Sequence, residues 1–580
     1  MASIVYEYLK NYKRRRIVLA DPFLGSARTL TVAIRKIGAD KLRKVWGIEP
    51  LPLPALIAYA SLLQAMRGKK DTITVITGDA FREVPRAFSP FTHSEPHKAD
   101  VILTNPPFTR WKCLERGYRD YLLEVVSGLG YEEYITRREA SLQTLAMFLA
   151  DYILTNGGLI GSVLPASTFY TIYGRGYKSL LRKNYETLAV VESASRPSFS
   201  EDSGFKEIII AAIKGNRGCG PTLFVGLDNN AGEIAKALMN RRRLGYRRNS
   251  FDIRCLPRFL DINWLALFGK SELRDILVKV FEGGLTKRTL GYWGEVLGRG
   301  SIIRGVEMYG PEFFFVPNKH WRTAKENRSI VEIENVEEGS RLTLNREILV
   351  RTLRKPSLYS RTIEAQVDSY MLSIPPAELN DLPEDLQDYI RWGIDSGTAK
   401  PAINAHGKYW YSHVHRQMVS KKPFGRVFIP DKVDLTFKRR GVFVNYTDGK
   451  VAASKNFYII KDENETLNKL LVGWFNCTIF FSTLILLGRK ISETWTRFLE
   501  DDYVQLPVIN PSVIDEKSAL EVCKHINGML NKSLPPFWDQ LGKEYRYRLD
   551  LSLAEAIKLE NPERIVEELY QTLFNHRFNT

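Results

Sequence analysis

The sequence predicts an α/β protein: a doubly wound, largely parallel sheet in its N-terminal part, followed by a mixed α+β half. Three observations carry this. Short continuous β-branched runs alternate with helical stretches up to about residue 215, the pattern of strands buried on both faces between crossover helices. The first four of these runs each end in a loop offering small, acidic or amide-bearing residues, where open α/β sheets hold their ligands. From about residue 240 the alternation is lost, and basic and aromatic residues mix instead.

Ile17–Ala20 reads as the first strand, followed by a glycine-containing loop and a helix from about Ala27. Val45–Ile48 is the second strand, ending at Glu49, and Leu53–Met66 reads as a helix. Thr74–Thr77 and Val101–Leu103 are further strands. Leu142–Leu154 reads as a helix and Leu159–Val163 as a strand, with Leu188–Val191 and Ile208–Ile213 completing a parallel sheet under the right-handed crossover rule. Arg241–Arg243 and Arg247–Arg248 flank Leu244-Gly245-Tyr246 as a basic linker. Beyond it stand Trp293, Phe313–Phe315, Trp321, Trp392 and Tyr409–Tyr411. Strands are expected at Val427–Ile429 and Val442–Val444, and helices over about Ser518–Leu530 and Ala554–Leu573. The expected domains are therefore residues 1–240, 241–515 and a helical segment 516–580.

The 580-residue chain is 44% hydrophobic and 26% charged, a globular balance able to bury large cores. Its net charge of +17 and pI near 9.4 favour a polyanionic partner. Cys113, Cys219, Cys255, Cys477 and Cys523 form no CxxC pair, which argues against zinc and disulfide frameworks and for reduced thiols in the cytoplasm. The amino terminus lacks the apolar core of a signal peptide; Lys13–Arg16 follows a short mixed segment. Leu470–Leu487 only reaches the lower length limit of a membrane span and carries Asn476 in mid-run, so a buried helix is expected there.

Four strand ends carry candidate chemistry. In Asp21-Pro22-Phe23-Leu24-Gly25-Ser26-Ala27, the small residues let a ligand approach the backbone, the helix start suits a carboxylate, and Asp21 can pair with an amino group. There is no GxGxxG and no Gly-Lys-Ser/Thr, so a phosphate fits less well. Glu49 is placed to hold a ribose diol; a strand-terminal acid facing water has the same sequence. Asp79 can accept from an adenine amine and Phe81 can stack on the ring, although Asp79 also reads as a helix cap. In Asn105-Pro106-Pro107-Phe108, the prolines stiffen the turn, the Asn105 amide and the carbonyls are acceptors, and Phe108 adds a flat apolar face. Acceptors beside a ring suit a planar molecule with an exocyclic amine.

Together the four loops resemble the amino-group DNA methyltransferases that use S-adenosylmethionine, in the γ arrangement. Asp21 to Ala27 is similar to their cofactor motif I, Glu49 to motif II, Asp79 to motif III, and Asn105-Pro106-Pro107-Phe108 to the catalytic motif IV. Gly157 to Pro165 is similar to the strand that follows, and Arg196-Pro197-Ser198-Phe199 through Lys214 to motif VIII. The resemblance covers residues 1 to about 215 well. More loosely, Gly300 to Gly305 with Phe313 to Val316 is similar to the start of a target-recognition domain, and Trp474 to Cys477 and Val504 to Pro507 to its end. The chain departs in lacking the Thr-Pro element upstream of motif I, where only Ile4 to Leu9 match, in Ala27 for the usual second glycine, and in Phe108 for the commoner tyrosine.

The resemblance implies a Rossmann-like methyltransferase sheet and a C-terminal target-recognition domain. The implied enzyme is a site-specific, adenine-specific DNA methyltransferase of restriction-modification kind, with S-adenosylmethionine as cofactor and double-stranded DNA as partner. A separate restriction endonuclease or an accessory subunit is the further partner. Asp21, Phe23, Gly25, Ser26, Glu49, Asp79 and Phe81 would hold the cofactor, and no metal is implied. Asn105 and Pro106 would grip adenine N6, Phe108 would stack on the flipped base, and Phe199, or Phe205 as its rival, would close the other face. Other readings stay open: cytosine N4 as the target, rRNA or release-factor methyltransferases sharing the Asn-Pro-Pro-aromatic loop, and a DNA-binding scaffold with a decayed cofactor site.

Overall fold

The computed structural model describes all residues except 12–15, 89–97, 136–139, 194–198, 200–205, 216–219, 228–230, 240–249, 270, 462–463, 489–494 and 578–580. Arg196–Ser198, Phe205, Cys219 and the basic stretch Arg241–Arg248 therefore lie outside the described residues. The chain divides into two compact units, Met1–Ser271 and Glu272–Thr580.

The first unit is built on a nine-stranded sheet. Its strands are β1 (Ile17–Asp21), β2 (Leu42–Glu49), β3 (Ile73–Thr77), β4 (Ala99–Thr104), β5 (Leu154–Pro165), β6 (Tyr185–Ser193), β7 (Glu207–Lys214), β8 (Thr222–Leu227) and β9 (Ser250–Phe251). Their order is β3-β2-β1-β4-β5-β7-β6-β8-β9. From β3 to β5 every neighbour is parallel. Here the wholly parallel expectation needs correction: β7 runs antiparallel to both β5 and β6. An antiparallel neighbour needs no helical crossover between it and the strand before it.

The helices are α1 (Ala2–Asn11), α2 (Arg28–Ile37), α3 (Pro52–Ala65), α4 (Ala80–Ala87), α5 (Arg116–Val126), α6 (Leu142–Ile153), α7 (Arg175–Asn184) and α8 (Ala231–Met239). Helix α2 buries Leu30, Ala33, Ile34 and Ile37, one face at helical spacing, and stops at Gly38, whose φ of 92° only glycine adopts without strain. The sheet is covered on both sides because successive side chains alternate. Ile17 and Leu19 of β1, Val45 of β2, and Val101 and Leu103 of β4 share one core with α1 and α2. Val18, Ala20, Trp46 and Ile102 are buried on the other face. There Trp46 meets Phe88 at the end of α4, and Phe88 meets Tyr152 of α6, at 6.2 and 6.3 Å between centroids. Each such aliphatic residue contributes about 1.5–3 kcal/mol by burial, which is why these strands are so clear in the sequence. The unit runs beyond residue 240 because β9 pairs with β8 and because Trp264 and Phe268 pack on Phe224 of β8.

The second unit holds a seven-stranded, mostly antiparallel sheet in the order Ile302–Arg304, Phe457–Ile460, Gly425–Pro430, Asn445–Ala453, Leu349–Leu353, Ser369–Leu372 and Phe315–Val316. A three-stranded antiparallel meander spans Trp321–Glu326, Ile330–Asn335 and Arg341–Asn345. Several aromatic residues of this half are core: Phe313, Phe314, Trp321, Tyr389 and Trp410 pack in one buried cluster. The C-terminal helices Glu516–Asn527 and Glu544–Ala556 pack on each other within this unit, the first also on Glu465–Asn476, so the segment from 516 does not stand apart.

Three local expectations are corrected. Val442–Val444 is not a strand, since the strand begins at Asn445. The Phe443 and Val444 amides donate to Asn476 Oδ1 at 2.8 and 3.2 Å, and Asn476 Nδ2 donates to the Val444 carbonyl at 2.9 Å, in place of a ladder. The Leu470–Leu487 run is buried but is two helices, Glu465–Asn476 and Thr478–Leu487, bent by 55° at Cys477. The second begins there because buried Asp550 accepts the Thr478 amide at 2.7 Å. Among the described residues no single helix is long and apolar enough to cross a membrane. Finally, the helix expected over Ala554–Leu573 is broken: one ends at Ala556, Lys558 and Asn561 take φ of 57° and 52°, and the next starts at Pro562, a residue suited to a first turn.

Candidate active site

In the order β3-β2-β1-β4, the candidate loops leave the same edge of the sheet. Asp21 pairs with Gly47 of β2, Glu49 pairs with Thr77 of β3, and Ala20 pairs with Ile102 of β4. Three inter-strand spacings of about 4.8 Å set the Asp79 and Asn105 loops roughly 15 Å apart. Between the neighbours β1 and β4 the strand order reverses, the site at which such sheets form a crevice.

The first loop is shaped by left-handed backbone. Gly25 has a φ of 54°, and a side chain built on it would meet nothing within 4 Å, so its backbone faces open space. Ala27 also lies in the left-handed region, with φ 60° and ψ 20°, just before α2. The position thus requires the conformation glycine adopts freely, and alanine holds it at a cost of about 1 kcal/mol. Asp21 is buried and accepts the Phe23 amide at 3.0 Å. Burial pushes its pKa up to about 7, with the Thr104 hydroxyl and the Phe23 amide offsetting only part of it.

Glu49 is buried, and its carboxylate is oriented by two backbone donors, Gly25 N–H to Oε2 and Leu51 N–H to Oε1, each at 3.1 Å. A carboxylate has about four acceptor positions, so capacity remains on both oxygens. Asp79 is the N-cap of α4, with Oδ1 accepting the Phe81 amide at 3.0 Å. Its Oδ2 accepts the Tyr118 hydroxyl at 2.9 Å. Burial and the Asp79 charge hold the Tyr118 hydroxyl well above its ordinary pKa, so it stays a donor. Tyr118 is a partner the sequence reading missed, since no short motif links it to Asp79. Phe81 is buried and its ring is tilted against Phe23 at 6.0 Å. Phe23 is the half-exposed member of the pair, and Ser26 is exposed.

The turn after β4 faces outward: Asn105 is exposed, Pro106 buried, and Pro107 and Phe108 half-buried. Phe108 borders a cavity of about 370 Å³ whose lining includes Trp111, Gln143, Pro165, Ser167 and Tyr173. That volume lies within the ordinary range for small-ligand sites. Trp111 and Tyr173 escaped the sequence reading; Trp111, three residues after Phe108, carried the nearer signal. Phe199 sits elsewhere: it packs half-buried against the sheet's core, its amide donating to Glu207 Oε2 at 2.8 Å, and it is not part of this lining.

No family model and no curated protein matches the chain. Among solved structures, the chain is similar to the type IIL restriction-modification enzyme MmeI in complex with DNA, at 13% identity and a TM-score of 0.52, over 99% of this chain and 75% of that one. It is also similar to the type IIG restriction endonuclease BpuSI, at 14% identity and a TM-score of 0.42, over 99% of this chain. The chain spans 64% of that enzyme's length. A putative class I S-adenosylmethionine-dependent methyltransferase from Listeria monocytogenes matches at 14% identity and a TM-score of 0.32, over 42% of this chain and 69% of that one. The likeness to MmeI is one of fold: the first unit is built on a Rossmann-like, parallel-rich sheet, and the second is a mixed α+β unit.

Proposed function

We propose that the chain is a site-specific DNA methyltransferase that transfers a methyl group from S-adenosylmethionine to adenine N6 in duplex DNA, as the modification part of a restriction-modification system. The observation that carries this is the outward turn Asn105-Pro106-Pro107-Phe108, with an exposed amide and a half-buried ring beside the cavity shared with Trp111 and Tyr173.

The residues of the first three loops fit the cofactor. Asp21 would hold the amino group, Glu49 the ribose hydroxyls, Asp79 the adenine amine, and exposed Ser26 the carboxylate, with the open space beside Gly25 letting the ligand approach. Phe23, half-exposed, would cover the ligand's flat face, with buried Phe81 supporting it. S-adenosylmethionine, when bound, supplies an electrophilic methyl group.

The chain's own residues do the rest. An exocyclic amine is a poor nucleophile because its lone pair is delocalised into the ring. The Asn105 side-chain oxygen and the Pro106 carbonyl accept its two hydrogens, which favours a pyramidal nitrogen with a directed lone pair. No strong base is needed, and most of the rate comes from positioning and aimed dipoles. Extruding the base costs a few kcal/mol, and stacking on Phe108 offsets roughly 1–3 kcal/mol of it. Tyr173, at 37% exposure, is the better-placed second ring than Phe199.

The test is calorimetric titration with S-adenosylmethionine, followed by transfer of labelled methyl to duplex DNA. A saturable heat and label in the adenine fraction are expected. A flat titration would favour a DNA-binding scaffold instead.

A further inference from the structure

The second unit holds a cleft of about 640 Å³ that no motif of the sequence announces. Its lining brings together Lys355, Lys432, Arg439 and Arg440 with Asp431 and Asp434. These residues come from connections around the seven-stranded sheet: Lys355 follows Leu349–Leu353, Asp431 and Lys432 follow Gly425–Pro430, and Arg439 and Arg440 precede Asn445–Ala453.

The charge in this cleft is unbalanced. Four cations face two carboxylates, and one of those, Asp431, is already paired with Arg497 Nε at 2.9 Å and Arg304 Nη2 at 3.3 Å, both outside the lining. Asp434 Oδ1 accepts the Thr436 amide at 2.9 Å. Arg440 is buried, yet among the described residues its guanidinium bonds to carbonyls: Val442 at 2.6 Å, Phe443 at 3.1 Å and Pro356 at 3.3 Å. Carbonyls satisfy its hydrogens without neutralising its charge, and burial lowers its pKa to about 10. Lys355, Lys432 and Arg439 are exposed around it. Ser357, Ser360 and Asn456 add further polar groups, while Phe437 is buried and offers no ring face.

From this buried cation, which meets no carboxylate among the described residues, and its ring of exposed cations, we infer that the cleft holds backbone phosphates of duplex DNA. The inference rests on the proposed DNA substrate and places part of its grip in the second unit. Lys355 and Lys432 neutralise phosphates at the rim, and Arg440 supplies a fixed positive field from beneath. Such contacts position a duplex without reading its bases.

The experiment measures duplex affinity of the full chain against salt concentration by fluorescence anisotropy, without methyl donor, for the natural protein and Lys355→Ala/Lys432→Ala. Both lysines are exposed, so folding is spared. Each phosphate contact contributes about 0.9 to the slope of log affinity against log salt, so the double variant should bind more weakly with a slope shallower by about 2. A natural protein that binds duplex while the variant keeps its slope overturns this site alone. A natural protein that binds no duplex overturns the DNA substrate as well. Inorganic phosphate or a free nucleotide provides the second arm. Binding of either that depends on these lysines, with the duplex slope unchanged, overturns the inference in favour of a free phosphate ester.

Discussion

Asp21→Asn isolates the electrostatic tension at the first loop. Buried Asp21 carries a carboxyl whose pKa rises from 3.8 to about 7, chiefly by loss of solvent. At about 1.36 kcal/mol per pH unit, that gap is worth up to about 4 kcal/mol. The folded state binds the proton more tightly than the unfolded one, so this group's contribution is most favourable below about pH 4. It is lost progressively as pH rises to 7 and stays lost above. Asparagine keeps an acceptor for the Phe23 amide but cannot ionise. In thermal or urea unfolding without cofactor, Asp21→Asn should therefore match the natural protein near pH 4 and exceed its stability at pH 8 by an amount of order 1–4 kcal/mol. Cofactor binding should move the other way, because a ligand ammonium needs the charged carboxylate. Affinity of the natural protein should fall by up to tenfold per pH unit below about 7, with proton release detectable in buffers of different ionisation enthalpy. The variant should bind weakly with no such dependence. Equal stability of the two proteins at pH 8, together with cofactor affinity flat from pH 6 to 8, would refute the reasoning.

At Ala27, with φ 60°, glycine removes about 1 kcal/mol of strain, partly offset by greater unfolded-chain freedom. Ala27→Gly should therefore match or exceed the natural protein in unfolding experiments, and Ala27→Val should fall well below it. Phe108→Ala should lower kcat/KM on duplex by roughly 5- to 150-fold, the equivalent of 1–3 kcal/mol of stacking, while leaving cofactor affinity intact. A mismatch opposite the target base should recover part of that loss, since extrusion then costs less. Residues 1–271, the first compact unit, should bind cofactor alone but lose site-specific methylation; site-specific product from this fragment would remove recognition from the second unit.

The strands were legible because their side chains are buried on both faces, so each reads as an unbroken apolar run. The direction of β7 was not, because a β-branched run looks the same whichever way it pairs. Val442–Val444 has strand composition, yet Asn476, over thirty positions later, takes its backbone hydrogen bonds. The loop residues Asp21, Glu49, Asp79 and Asn105 could be placed because each directly follows or ends a recognisable strand. Phe81, Phe199 and the aromatic residues of the second half could not be assigned by type alone: ring side chains serve cores as readily as ligands, and these rings are wholly or partly buried. Tyr118, Tyr173 and the Arg440 cleft join residues distant in sequence, and only the packed chain brings them together.

Single-molecule sequencing of DNA from cells expressing the natural protein or Asn105→Ala tests most directly whether the turn after β4 presents an adenine amine for methylation. N6-methyladenine at one recurring sequence is expected with the natural protein and none with the variant. Unmodified DNA from both, or the same modification from both, would contradict it.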